Sequence, residues 1–135
     1  MTATLKTHHV ALKVADFEKS LNFYTKGLGM NLIKTWGEGT SSAAMIDIGD
    51  GTAIEMFAGG TKGELPENRA GSFVHFAFEV ESPDVWYERA LSCGAVSKAA
   101  PADLLLETSA DPLDVRIAFV YGPDGEVLEF FHSKR

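Results

Sequence analysis

The chain has 135 residues, with 12 Lys and Arg against 19 Asp and Glu, a formal charge of −7. With 45% hydrophobic and 23% charged residues it has the composition of an ordinary folded domain rather than a disordered chain. The acidic excess, with no local Lys/Arg cluster to offset it, disfavours nucleic acid and anionic membrane partners. The single Cys93 excludes a disulfide framework. No apolar leader stands over residues 1–7 and no run approaches the ~20 apolar residues of a membrane span, so the expectation is a cytoplasmic protein.

In chain order, a strand is predicted over 9–14, where Val10, Leu12 and Val14 alternate with His9, Ala11 and Lys13. Asp16 is a fitting N-cap for a helix over 17–26, in which Phe17, Leu21 and Tyr24 recur at helical spacing before Gly27 and Gly29 end it. Three β-rich segments follow, 30–36, 42–48 and 52–57, the last two joined by Gly49-Asp50-Gly51 as a hairpin. Residues 58–71 are polar and glycine-rich and read as a linker. A strand over 74–80 comes next, then a helix with Ser82 as N-cap and Pro83 in its first position. Val85, Trp86, Ala90 and Cys93 form the apolar stripe of that helix, and Gly94 stops it. Strands are predicted over 95–99, 115–121 and 126–132, with Gly122-Pro123-Asp124-Gly125 as the last turn.

The chain is written twice. His9-Val10-Ala11-Leu12-Lys13-Val14 is echoed by His75-Phe76-Ala77-Phe78-Glu79-Val80, and Asp50-Gly51-Thr52-Ala53-Ile54-Glu55 by Asp124-Gly125-Glu126-Val127-Leu128-Glu129. The offset between echoes grows from 66 to 74, which places about eight extra residues in the second half, in a polar loop over 97–114. The expectation is an α+β fold of paired βαβββ modules, module 1 over about 7–57 and module 2 over about 72–132, forming a curled eight-stranded sheet with a central cavity. A module of ~65 residues has little core of its own, so the halves should pack together or across a dimer.

Strand side chains alternate between faces, so parity decides what each can touch. His9, Glu55, His75 and Glu129 all fall opposite the residues that a helix must cover. Two imidazoles and two carboxylates on one cavity make an octahedral site for a divalent first-row metal, with positions left for water or substrate. Tetrahedral structural zinc favours thiolates and is less apt. Phe57 and Phe131 share that face as pocket walls, and Lys13, Arg116, Glu79 and Tyr121 are further candidates for substrate contact. His8 and His132 read as solvent-edge residues and Cys93 as a packed thiol.

His9-x5-Asp16, Ser20-x2-Phe23-Tyr24, Gly27-Leu28-Gly29 and Pro123-Asp124-Gly125-x3-Glu129 together resemble the vicinal oxygen chelate superfamily of glyoxalase I, bleomycin-resistance proteins and extradiol dioxygenases. The resemblance spans nearly the whole chain. It implies that His9, Glu55, His75 and Glu129 correspond to the His/Glu/His/Glu metal set of bacterial-type glyoxalase I, with Ni, Co, Zn, Mn or Fe as the ion. It further implies Glu129 as general base, Glu55 as ligand and second base, a small-molecule substrate and a homodimer. The activity implied is a lactoylglutathione-lyase-like lyase or isomerase shifting a proton beside a chelated oxygen pair. The alternatives on the same fold are an acyl-CoA epimerase, an extradiol-type dioxygenase and a small-molecule binding or resistance protein. Glutathione-using members carry basic residues on the first strand and in the second-half loop. Here Lys13 keeps the first, while residues 97–114 hold Asp103, Glu107, Asp111 and Asp114 against Lys98 alone, a poor anchor for the carboxylates of a glutathione adduct.

Overall fold

A computed structural model describes residues 4–63 and 68–134. The chain forms two compact units, residues 1–63 and 64–135. The expected linker over 58–71 therefore contains the boundary, and its residues 64–67, like 1–3 ahead of the first strand, lie outside the described residues.

In the first unit β1 (His9–Lys13) leads into α1 (Phe17–Asn22), followed by β2 (Asn31–Trp36), β3 (Ala43–Asp47) and β4 (Ala53–Phe57). The sheet order is β1-β4-β3-β2, with β1 parallel to β4 and the other pairs antiparallel. The Asp16 carboxylate accepts from the Lys19 amide at 3.1 Å, satisfying one of the orphan donors at the start of α1. The predicted helix continues past Asn22 as a wider π-helical turn over Phe23–Gly27, closed by the Leu28 amide donating to the Phe23 carbonyl at 2.9 Å. That widening turns both Phe23 and Tyr24 into the core, where they are nearly sealed from water. The β3–β4 turn needs left-handed backbone at Gly49 (φ 116°) and Gly51 (φ 92°), which explains the glycine pair.

The second unit repeats the plan with β5 (Phe76–Glu79), α2 (Pro83–Ser92), β6 (Val96–Leu106), β7 (Leu113–Tyr121) and β8 (Val127–Ser133), in sheet order β5-β8-β7-β6. Ser82 caps α2, its hydroxyl accepting from the Val85 amide at 3.3 Å, and Pro83 opens the helix. Trp86 stacks over Phe130 at 6.3 Å, and Phe130 over Phe78 at 6.2 Å, so α2 covers the face carrying Phe78 and Phe130.

Four expectations are corrected. The strands are hydrogen-bonded as two four-stranded sheets, not as one eight-stranded sheet, because β1 and β5 each pair with a single neighbour. The extra residues of the second half do not make a loop: β6 runs to Leu106 and pairs with β7, Leu104 opposite Val115 and Leu106 opposite Leu113. Pro101 suggested a break, but it falls within a register shift between Ala99 and Ala102 on an edge strand, where no ladder hydrogen bond is forfeited. The strand predicted over 74–80 is shorter, leaving Phe73 and Val74 exposed and His75 one residue before β5. Finally, α2 buries Pro83, Tyr87 and Ala90, while Val85 and Cys93 are exposed. The Tyr87 hydroxyl donates to Ser97 at 2.6 Å, giving the buried ring a polar partner. Among the described residues no helix is long and apolar enough to cross a membrane.

Candidate metal centre

Each unit brings one predicted histidine to one predicted glutamate. In the first, β1 and β4 lie side by side in parallel, with Ala11 beside Glu55, and His9 Nε2 is 3.3 Å from Glu55 Oε1. In the second, Ala77 lies beside Glu129, and His75 Nε2 is 3.2 Å from Glu129 Oε1. The two arrangements are equivalent: a histidine at or just before the module's first strand, a glutamate on the strand parallel to it. Among the described residues no three His, Cys, Asp or Glu side chains are grouped to share one ion. The structure thus shows two donor pairs, one per unit.

The spacing is informative. A charge-assisted N–H···O contact usually closes to about 2.7–2.9 Å. Two donors bonded to one cation at about 2.1 Å, at octahedral or tetrahedral angles, stand about 3.0–3.4 Å apart. Both pairs lie within that range, which direct ion pairs such as Arg116–Asp103 at 3.2 Å also reach, and imidazole with carboxylate is a donor set suited to a divalent first-row metal. The side chains present therefore fit such an ion.

The pairs differ in burial. The Glu55 side chain is 20% exposed and that of Glu129 only 9%. Burial pushes the Glu129 carboxyl above the ordinary carboxylate range, while the charge of His75 acts in the opposite direction. His75 is also fixed by an edge contact with Phe119 on β7, ring centroids 5.5 Å apart.

The other predicted residues divide by parity. Lys13 and Phe57 are register partners two residues along from Ala11 and Glu55, so both stand on the face of the His9–Glu55 pair. Phe131 stands with Glu129 on β8, beside Glu79 and opposite Ile117. Arg116 does not join them. Its register partner is His132, of opposite parity to Glu129, and its guanidinium reaches α2, donating to both Asp84 oxygens at 2.6 and 2.8 Å and to Asp103 at 3.2 Å. A guanidinium forked onto Asp84 on the helix-covered face is a structural clamp between α2 and the β6–β7 hairpin. Its alternation with Val115 and Ile117 was the available signal for that placement.

One neighbour escaped the sequence reading. His8, read as a solvent-edge residue, places Nδ1 2.8 Å from His9 Nδ1. A hydrogen bond there engages the ring nitrogen of His9 that faces away from Glu55 and helps set its tautomer. The His-His dipeptide was the signal for it.

Residues 6–130 match the sequence profile of the family described as the Glyoxalase/Bleomycin resistance protein/Dioxygenase superfamily. The chain is 33% identical over 135 residues to a probable lactoylglutathione lyase of Vibrio parahaemolyticus, covering 94% of this chain and 90% of that protein. It is 33% identical over 137 residues to a lactoylglutathione lyase of Neisseria meningitidis, with 93% and 89% covered. The crystal structure of a glyoxalase family protein from Enterococcus faecalis superposes with a TM-score of 0.71 at 21% identity, covering 93% of this chain and 96% of that one. Duplicated units, matched His/Glu pairs and these relatives agree: the chain belongs to the glyoxalase/bleomycin resistance/dioxygenase, or vicinal oxygen chelate, superfamily.

Proposed function

We propose that the protein is a glyoxalase-I-like lyase or isomerase in which His9, Glu55, His75 and Glu129 hold one divalent ion, of Ni, Co, Zn, Mn or Fe. The two pairs serve that ion either within one chain or across a homodimer. The observation that carries this reading is the repetition of a His Nε2–Glu Oε1 pair, at 3.3 and 3.2 Å, in the same place of both units. The similarity to two lactoylglutathione lyases supports it.

When bound, such an ion supplies Lewis acidity that polarises two adjacent substrate oxygens. Glu129 moves the proton between the neighbouring carbons. Its carboxylate, only 9% exposed, acts as base while loosened from the ion, in surroundings where little water competes for the proton. His75 holds the Glu129 carboxylate in place and keeps it ionisable. Glu55, more exposed, serves as ligand and second base. Phe57 and Phe131 flank the glutamates and limit water at the reacting carbons.

The test is metal content followed by calorimetric titration of chelator-treated protein with Ni²⁺ and Zn²⁺. One ion per two His/Glu pairs is expected, with binding lost in His9→Ala and in His75→Ala alike. Nickel-loaded protein should also catalyse exchange of the carbon-bound protons of dihydroxyacetone in D₂O. Two ions per chain, or a single variant that merely halves the stoichiometry, would show the pairs acting separately. Retention of no divalent ion would overturn the reading in favour of a metal-free binding protein.

A further inference from the structure

His9 opens β1, and its backbone is fixed by pairing with Ala53 on β4. The residue before it is fixed as well, since the Ala53 amide donates to the His8 carbonyl at 3.0 Å. Both residues are exposed at this end of the strand. Their rings meet in a T-shaped contact with centroids 5.1 Å apart, and the two Nδ1 atoms are 2.8 Å from each other. The other ring nitrogen of His9, Nε2, is 3.3 Å from Glu55 Oε1. His8 is thus joined to the His9–Glu55 pair through the far side of the His9 ring.

The two nitrogens of His9 have linked duties. A ring that gives the lone pair of Nε2 to a cation carries its proton on Nδ1, and that N–H then needs an acceptor. The Glu55 carboxylate, an acceptor only, favours the opposite arrangement when it meets the ring directly, with the proton on Nε2. His8 suits both arrangements. An imidazole holds a donor on one nitrogen and an acceptor on the other and can exchange them, so His8 Nδ1 accepts in the first case and donates in the second. The His9 ring therefore keeps Nε2 turned toward Glu55 in either tautomer. A water in that place would be held by the ring alone, whereas His8 is also anchored through its backbone. The second unit lacks this support. Among the described residues no group is hydrogen-bonded to Nδ1 of His75, whose ring instead makes its edge contact with Phe119.

We infer that His8 is a positioning residue for the divalent ion, presenting His9 Nε2 to it by accepting the proton-bearing Nδ1 of the same ring. This rests on the metal-centred reading above and adds to it a side chain outside the four donors.

The experiment is calorimetric titration of the chelator-treated full chain with Zn²⁺, joined to NMR of the zinc-loaded protein. His8→Leu, which removes the acceptor from an exposed position, should weaken zinc binding by about 10–100-fold. His8→Asn carries its carboxamide on the same Cγ position as the imidazole Nδ1, can accept or donate there, and should recover most of that affinity. Long-range ¹H–¹⁵N spectra of the zinc-loaded parent should show the His9 proton on Nδ1 and the His8 proton on Nε2 alone, a signature that a merely structural role does not produce. Unchanged affinity in His8→Leu, an equal loss in the Leu and Asn variants, or a proton on His8 Nδ1 in the zinc-loaded chain would each overturn the inference while leaving the metal-centred reading standing. A parent chain that binds no zinc would overturn both, an outcome told apart because binding is then missing before any substitution is made.

Discussion

Adjacent residues Phe130 and Phe131 test the parity on which the site depends. Phe130 is 1% exposed, stacked between Phe78 and Trp86, whereas Phe131 is half-buried on the face of Glu129. Truncating a sealed aromatic leaves a cavity as well as losing transfer energy, so Phe130→Ala should cost about 3–5 kcal/mol. For a chain of 135 residues, at ~2.1 cal/mol/K of unfolding entropy per residue, each kcal/mol lowers Tm by about 3.5 °C. A fall of at least ~10 °C is therefore expected for Phe130→Ala. Phe131→Ala removes a ring that already faces water in part and should cost about 1–2 kcal/mol. Urea unfolding and calorimetry of both variants, after chelator treatment so that metal binding does not enter, measure the contrast. A Phe131→Ala loss equal to or greater than that of Phe130→Ala would mean that β8 presents the other face to α2. Glu129 would then point into the core, and its assignment as ligand and base would fall.

Two further outcomes follow from the electrostatics. Glu129→Gln preserves shape but removes the proton acceptor, so the exchange rate of the metal-loaded protein should fall by about 10²–10⁴-fold, and a fully active variant would refute the base assignment. In the metal-free state the raised Glu129 pKa makes its ionisation oppose folding. That contribution favours the fold below the ordinary value of 4.5 and is lost as pH rises through the folded-state pKa. The stability of the Gln variant relative to the parent should therefore be greater at pH 7 than at pH 4. At the clamp, Arg116 holds Asp84 below its ordinary 3.8, and Lys134 together with Arg116 does the same to Asp103. Stability from these carboxylates is present above that value and lost as pH falls through their folded-state pKa values. Arg116→Gln should move the carbon-detected titration of Asp84 upward and flatten the acid limb of stability; an unchanged Asp84 titration would contradict the clamp.

Much of this was legible in the chain. The His/Glu echoes, the N-caps Asp16 and Ser82 and the Gly49-Asp50-Gly51 turn are local signals, because capping, positive φ and strand alternation act within a few residues. They were enough to specify two copies of one βαβββ plan and to put His9 with Glu55 and His75 with Glu129 on matching faces. What local pattern could not carry was pairing. Residues 97–114 look like a polar loop because Pro101 and four acids punctuate them, yet Leu104 and Leu106 gain partners 11 and 7 residues away in Val115 and Leu113, and that ladder makes β6 a long strand.

The same limit separates Arg116 from the site. Its charge and its place near the predicted pocket suggested a substrate contact, but only the fold brings Asp84, 32 residues earlier, within 2.6 Å and binds the guanidinium on the helix-covered face. Burial follows the same rule. Glu55 and Glu129 occupy equal places in the repeat, and their surroundings in each unit make Glu129 the more buried, a burial that pushes its carboxyl upward. The sequence by itself determined the duplicated plan and the His/Glu candidates for a metal site, since those depend on periodicity and on residue type. The tertiary structure decided which histidine meets which glutamate, which charges are already neutralised and which glutamate is the more buried, because each of these depends on distances between residues far apart in the chain.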